Sequence, residues 1–126
     1  MAKFVELIGR TVGVVIDADT AMADWVPSVN GRLKKVTVLT GGIAATTLIE
    51  NGYIRLSCKE FGGVDMYAAF NGGGVFTAVW TRSGVNGMTS TECDLSIKAG
   101  VPVHLFYYHN VLPTTPEITV FAEIEA

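Results

Sequence analysis

From Thr89 to Lys98 the chain alternates in polarity at every step. Thr91, Cys93, Leu95 and Ile97 take one side, and Ser90, Glu92, Asp94, Ser96 and Lys98 take the other. A period of two belongs to a strand with one buried face, because successive side chains of an extended backbone point to opposite faces. Ala99-Gly100 supplies a turn. Val101, Val103, Leu105 and Tyr107 then alternate with Pro102, His104, Phe106 and Tyr108, which predicts a second strand returning along the first. A third run sets Ile118, Val120, Ala122 and Ile124 against Glu117, Thr119, Phe121, Glu123 and Glu125.

The rest of the chain is punctuated in the same way. Phe4–Ile16 is apolar and β-branched and reads as a first strand, with Gly9 as its candidate break. Asp17–Asn30 is the one segment with room for a short helical turn, with Asp17, Asp19 or Thr20 as caps before Ala21-Met22-Ala23. Further strands are predicted over Arg32–Thr40, Ile43–Glu50, Tyr53–Phe61, Val64–Phe70 and Val75–Thr81. Gly41-Gly42, Asn51-Gly52, Gly62-Gly63 and Asn71-Gly72-Gly73-Gly74 separate them, and Ser83-Gly84 and Asn86-Gly87 precede the run at Thr89. Eight or nine short strands, turn signals roughly every eight to twelve residues and little helix predict an all-β fold. The expected architecture is an antiparallel β-sandwich of jelly-roll type, as one domain over residues 1–126.

Composition says what surrounds that core. Hydrophobic residues make up 49% of the chain and charged residues 17%, against about 25% charged in ordinary soluble domains. A sandwich of this size leaves apolar side chains near solvent, where they commonly meet a partner. The net charge of -3 excludes a strongly basic nucleic-acid binder. Its distribution is uneven. Arg32, Lys34, Lys35, Arg55 and Lys59 face only Glu50 in their part of the chain, whereas Glu92, Asp94, Glu117, Glu123 and Glu125 face only Lys98 in theirs. Two outcomes stand open: the basic part of one subunit meets the acidic part of another, or both sets are solvated strand faces. Glu6 and Arg10 interrupt the amino terminus too early for a secretory signal peptide. The longest uncharged run, Ala99–Pro116, contains Pro102, Pro113 and Pro116 and strand periodicity, unlike a membrane-spanning helix.

No constellation of catalytic, cofactor-binding or metal-ligating residues emerges, and a non-enzymatic protein is expected. Asp17, Asp19 and Asp24 cluster but lack the glycine and terminal glutamate of a calcium loop. Asn71–Gly74 runs into a predicted strand instead of the helix a phosphate loop requires. His104 and His109 have opposite parity on one predicted strand, so they face apart. Cys58 and Cys93 have no companion pair for zinc; buried free thiols are the default, and spacing alone does not say whether they pair. The run IKAGVPVHLFYYHN is similar to a cupredoxin hairpin, but Cys93 precedes His104 by eleven residues and no methionine follows, so the copper pattern fails.

The aromatics carry what functional signal there is. Phe106 and Phe121 oppose the apolar rows of their strands, Tyr108 shares the face of Phe106, and Trp25-Val26-Pro27 is predicted to lie in a loop with the indole exposed. Trp25, Phe106, Tyr108 and Phe121 are therefore the interface candidates. The glycine-punctuated strands from Gly31 to Glu125 resemble the small single jelly-roll coat proteins of viruses. That resemblance implies a self-assembling coat or decoration subunit whose partners are copies of itself and other virion proteins. It also implies residence in the virion, or inside the cell before assembly, with no cofactor. The alternative is a carbohydrate- or ligand-binding sandwich using Trp25, Trp80 or Tyr107 and Tyr108.

Overall fold

In the computed structural model, which describes residues 2–12, 16–41, 52–70, 85–109 and 117–126, the alternating segments pair into eight strands. They are β1 (Lys3–Val12), β2 (Ile16–Ala21), β3 (Gly31–Gly41), β4 (Gly52–Ser57), β5 (Met66–Phe70), β6 (Val85–Ile97), β7 (His104–His109) and β8 (Glu117–Glu125). One sheet has the order β1-β8-β3-β6 and the other β2-β7-β4-β5, and every pairing is antiparallel.

The order has a simple origin. Lys3 pairs with Glu125, Ile16 with His109, Gly31 with Ile97 and Gly52 with Phe70. Partners lie nearly symmetrically about the middle of the chain, so the described strands form one long hairpin. Its tip is a 3-10 turn at Lys59–Phe61 followed by Gly62 and Gly63, with φ of 75° and 87°. Positive φ is open to glycine without a Cβ clash. Rolled up, this hairpin sends successive strand pairs to opposite sheets, and the result is a jelly roll.

The inward rows of the two sheets meet in one core. Leu33, Val36, Val38, Ile118, Val120, Ala122 and Ile124 come from the first sheet, and Ile54, Leu56, Met66, Ala68, Leu105 and Tyr107 from the second. All are buried. At roughly 1.5–3 kcal/mol for each large aliphatic side chain removed from water, this two-layer core is the main favourable term. Part of the segregated charge meets within the chain. Basic β3 lies between acidic β8 and β6, and Asp94 accepts from Arg32 Nε at 2.9 Å and lies 3.2 Å from Lys34 Nζ. The Arg32 hydrogen bond, then that of Lys34, holds the Asp94 carboxyl below its ordinary range.

Several expectations change. β6 and β7 do not form a hairpin: the turn at Ala99-Gly100 carries the chain from one sheet to the other, so both inward rows reach the same core from opposite sides. No helical turn forms in the Asp17–Asn30 segment, because β2 is extended and its line continues along β7 through Met22 N donating to Leu105 O at 2.8 Å. Gly9 does not break the first strand; a bulge between Leu7 and Gly9 shifts its register on β8. Asn86-Gly87 is not a turn but part of β6, with Gly87 opposite Thr40. The strands predicted over Ile43–Glu50 and Val75–Thr81 lie outside the described residues.

The β1–β8 ladder continues to Ala2 and Ala126. Ala126 N donates to Ala2 O at 2.8 Å, and β3 begins beside them at Gly31. A Cβ on Gly31 would lie 2.6 Å from the Glu125 carbonyl oxygen, a backbone atom that cannot swing aside. Gly31→Ala is therefore expected to destabilise the fold by about 1–3 kcal/mol, seen as a lower denaturant midpoint at unchanged slope.

Candidate functional site

The outer face of the second sheet gathers side chains from all four of its strands. Tyr53 and Arg55 come from β4, Phe106 and Tyr108 from β7, Tyr67 from β5 and Asp19 from β2. Alternation dictates most of this set: Tyr53, Arg55, Tyr67 and Phe106 each lie between two buried residues, and Tyr108 follows the buried Tyr107. Tyr53 and Tyr108 sit opposite each other and stack at 5.2 Å between ring centroids with an interplanar angle of 11°, and Tyr67 meets Tyr53 edge-on at 5.3 Å. The Arg55 guanidinium lies 3.9 Å above the centre of the Phe106 ring, a cation–π contact.

Arg55 also spans the width of the sheet. It reaches over β7 to Asp19, with Nη2 2.6 Å and Nε 2.8 Å from Oδ2, and its Nη1 donates to Asp65 at 2.9 Å just ahead of β5. The other Asp19 oxygen accepts from the Tyr53 hydroxyl at 2.5 Å. Along the same face His104 Nδ1 lies 2.9 Å from Asp24 Oδ1. Both edge strands are thus tied to the sheet centre by charged groups that already hold partners.

The outer face of the first sheet is different. Reading across from β1 to β6, successive rows are Val5, Glu123, Lys35 and Glu92; Leu7, Phe121, Thr37 and Ser90; and Arg10, Thr119, Leu39 and Met88. Its exposed apolar groups lie at the two lateral margins: Val5 is 64% and Leu7 52% accessible on β1, and Met88 is 61% accessible on β6. Phe121 and Leu39 are half-buried behind them, and Thr37 and Ser90, hydrogen-bonded at 2.9 Å, occupy the middle.

The four interface candidates therefore part company. Phe106 and Tyr108 share the network of the second sheet, and Phe121 backs Leu7 on the first. Trp25 is not an exposed loop aromatic: it is only 5% accessible. Its backbone exchanges two hydrogen bonds with Val103, at 2.9 and 2.7 Å, and its indole N–H donates to Glu6 on β1 at 2.6 Å. Those bonds fold the segment after β2 inward, so that Trp25 joins the core and bridges the two sheets. Tyr107 is buried as well, and Trp80 lies outside the described residues. Val5, Leu7, Met88 and the Arg55–Asp19 pair were not signalled as a group, because they converge only through pairings between distant strands.

Both cysteines are free, Cys58 buried and Cys93 partly so. Burial, and then the charge of Asp94, pushes the Cys93 thiol up to about 11, which keeps it protonated and weakly nucleophilic at neutral pH. Among the described residues no group of three or more His, Cys, Asp or Glu is placed to hold a metal ion. Among them, too, no helix is long and apolar enough to cross a membrane.

No family model matches the chain, and no curated protein sequence does. Among solved structures, the crystal structure of FLHE is similar over 100% of both chains, with a TM-score of 0.47 and 12% identity. The exo-beta-1,3-galactanase of Phanerochaete chrysosporium, solved with galactose, is similar over 98% of this chain and 29% of its own, with a TM-score of 0.44 and 11% identity. Neither similarity assigns an activity to this chain.

The Tyr53–Asp19 bond has a measurable signature. That hydrogen bond first, then burial, pushes the Tyr53 hydroxyl up to about 12. Unfolded tyrosine titrates near pH 10, so the stabilisation from this bond is complete below about pH 10 and is lost as pH rises through about 12. In a titration followed by tyrosinate absorbance, Tyr53 is expected to ionise late, and Asp19→Asn to return it towards about pH 10. An unchanged curve in Asp19→Asn would contradict the bond.

Proposed function

We propose that this chain is a non-enzymatic structural protein, a self-assembling β-sandwich subunit of a virion that serves as coat or decoration protein. The observation that carries this reading is the pair of apolar margins on the first sheet, Val5 and Leu7 on one side and Met88 on the other. Side chains of this kind, placed in a row on the edge strands, gain from being covered by a neighbour. The jelly-roll strand order supports the same reading, since viral capsid domains are among the proteins that use it. The fold by itself is shared with lectin domains and cupins, so the margins carry more weight than the topology. The partners are other copies of the chain and further virion proteins, and its place is the virion, or the cell interior before assembly.

A second role, as a carbohydrate- or ligand-binding module, is favoured by the second sheet, where Tyr67 is 55% accessible beside the Tyr53–Tyr108 stack. Aromatic faces flanked by carboxylates and a guanidinium suit sugar rings. That role ranks lower because Arg55, Asp19 and Asp65 already satisfy one another.

The two roles separate in one pair of variants. Leu7→Asp places a charge in an exposed apolar margin without touching the core. It is expected to shift sedimentation from an assembled species to the 13.4 kDa chain, with an unchanged far-ultraviolet circular dichroism spectrum. Sedimentation identical to the parent protein would contradict assembly through that margin. Retention of the parent protein on a polysaccharide matrix, abolished by Tyr67→Ala, would instead move the assignment to ligand binding.

A further inference from the structure

We infer that the assembly proceeds edge to edge: the free edge of β6 in one copy pairs antiparallel with the free edge of β1 in the next, continuing the first sheet from subunit to subunit. The inference rests on the proposed role as an assembling subunit and names its contact.

Strand lengths single out these edges. Among the described residues β1 and β6 each have a hydrogen-bonded neighbour on one side only, and they run for 10 and 13 residues. The edges of the second sheet are shorter: β2 has 6 residues with a register shift between Ile16 and Thr20, and β5 has 5. Short edges resist pairing with another chain and long ones invite it; β1 and β6 are the longer edges, although β1 carries a bulge between Leu7 and Gly9 and the β6 ladder shifts register opposite Leu33/Lys35 and Thr40/Gly41. β6 carries no proline, lysine or arginine, and β1 carries no proline, so the residues that usually block edge pairing are missing from the β6 edge.

Direction and chemistry agree. Each neighbour in β1-β8-β3-β6 is antiparallel, so β1 and β6 run in opposite senses. A second copy laid alongside in the same orientation therefore presents β1 to β6 with the alternation unbroken. One register places Leu7 opposite Met88, Val5 opposite Ser90 and Lys3 opposite Glu92, all on the outward face where these residues already point. The exposed apolar margins then cover each other. Lys3 and Glu92, neither of which has an ion pair among the described residues, become opposite charges across the joint. Pairing β6 with its own copy, or β1 with its own copy, brings together strands whose outward charges are Glu92 and Asp94 in the first case and Lys3 and Arg10 in the second, with no opposite partner. The contact is thus heterologous, and it propagates into a ring or an open row of subunits according to the rotation between neighbours.

Charge exchange tests the contact. Lys3→Glu and Glu92→Lys are each expected to weaken assembly about tenfold at low ionic strength, through like charges facing across the joint. The double variant is expected to restore it, as is an equimolar mixture of the two single variants, since each copy then finds a complementary edge. Glu117→Lys, on an interior strand of the same sheet, serves as control and leaves assembly unchanged. Sedimentation velocity reads the outcome, with thermal unfolding verifying that each variant folds. If the parent protein assembles but the single variants assemble equally well, or the double variant fails to recover, the edge contact is wrong while the structural role stands. A parent protein that stays monomeric at every concentration overturns both.

Discussion

Antiparallel pairing of each strand with its mirror position about the chain's middle is the constraint on which the rest of the molecule depends. Lys3 with Glu125, Ile16 with His109, Gly31 with Ile97 and Gly52 with Phe70 step inward along the chain, alternating between the two sheets, towards Gly62-Gly63. Once those pairs exist, the amphipathic rows leave one way to bury Leu33, Val38, Ile54, Leu56, Leu105 and Val120 together, which is to roll the hairpin into two layers. The cost is kinetic. The outermost pair closes only when the two ends of the chain meet, as they do at Ala2 and Ala126, so slow folding dominated by non-local contacts is the physical expectation.

The two sheets meet water differently. In the second, Arg55 reaches from Asp19 to Asp65 across Phe106 and ties both edge strands inward. In the first, the ion pairs lie between β3 and β6, around Asp94, while Val5, Leu7 and Met88 stand at the margins. The second sheet's edges are tied to its centre by ion pairs, whereas the first sheet's edges carry exposed apolar side chains. That difference in surface, more than the fold, is what supports the proposed role of a subunit that continues into a neighbour.

Much of the sheet content was legible because one buried face imposes a period of two. The rows Ile118-Val120-Ala122-Ile124 and Ile54-Leu56-Cys58 are buried where alternation put them. Sheet membership was not legible. Ala99-Gly100 reads equally well as a hairpin turn and as a crossing between layers, and only the demand that Ile97 and Val103 enter one core from opposite sides decides it. Trp25 misled for a related reason. Beside Pro27 it has the local look of a loop residue, and its burial comes from Val103 and Glu6, distant in sequence. Of the candidate surfaces, Phe106, Tyr108 and Phe121 were legible as outward aromatics. Arg55 with Asp19, and Leu7 with Met88, were not, since the significance of each comes from strand order and not from spacing.

The most direct test of the account is the solution mass of the unmodified protein, measured by light scattering behind a sizing column over a range of concentrations. An assembling subunit gives masses that are multiples of 13.4 kDa and that grow with concentration until a closed or extended particle forms. A mass fixed at 13.4 kDa at every concentration would contradict the account and leave the aromatic face of the second sheet as the surface to pursue.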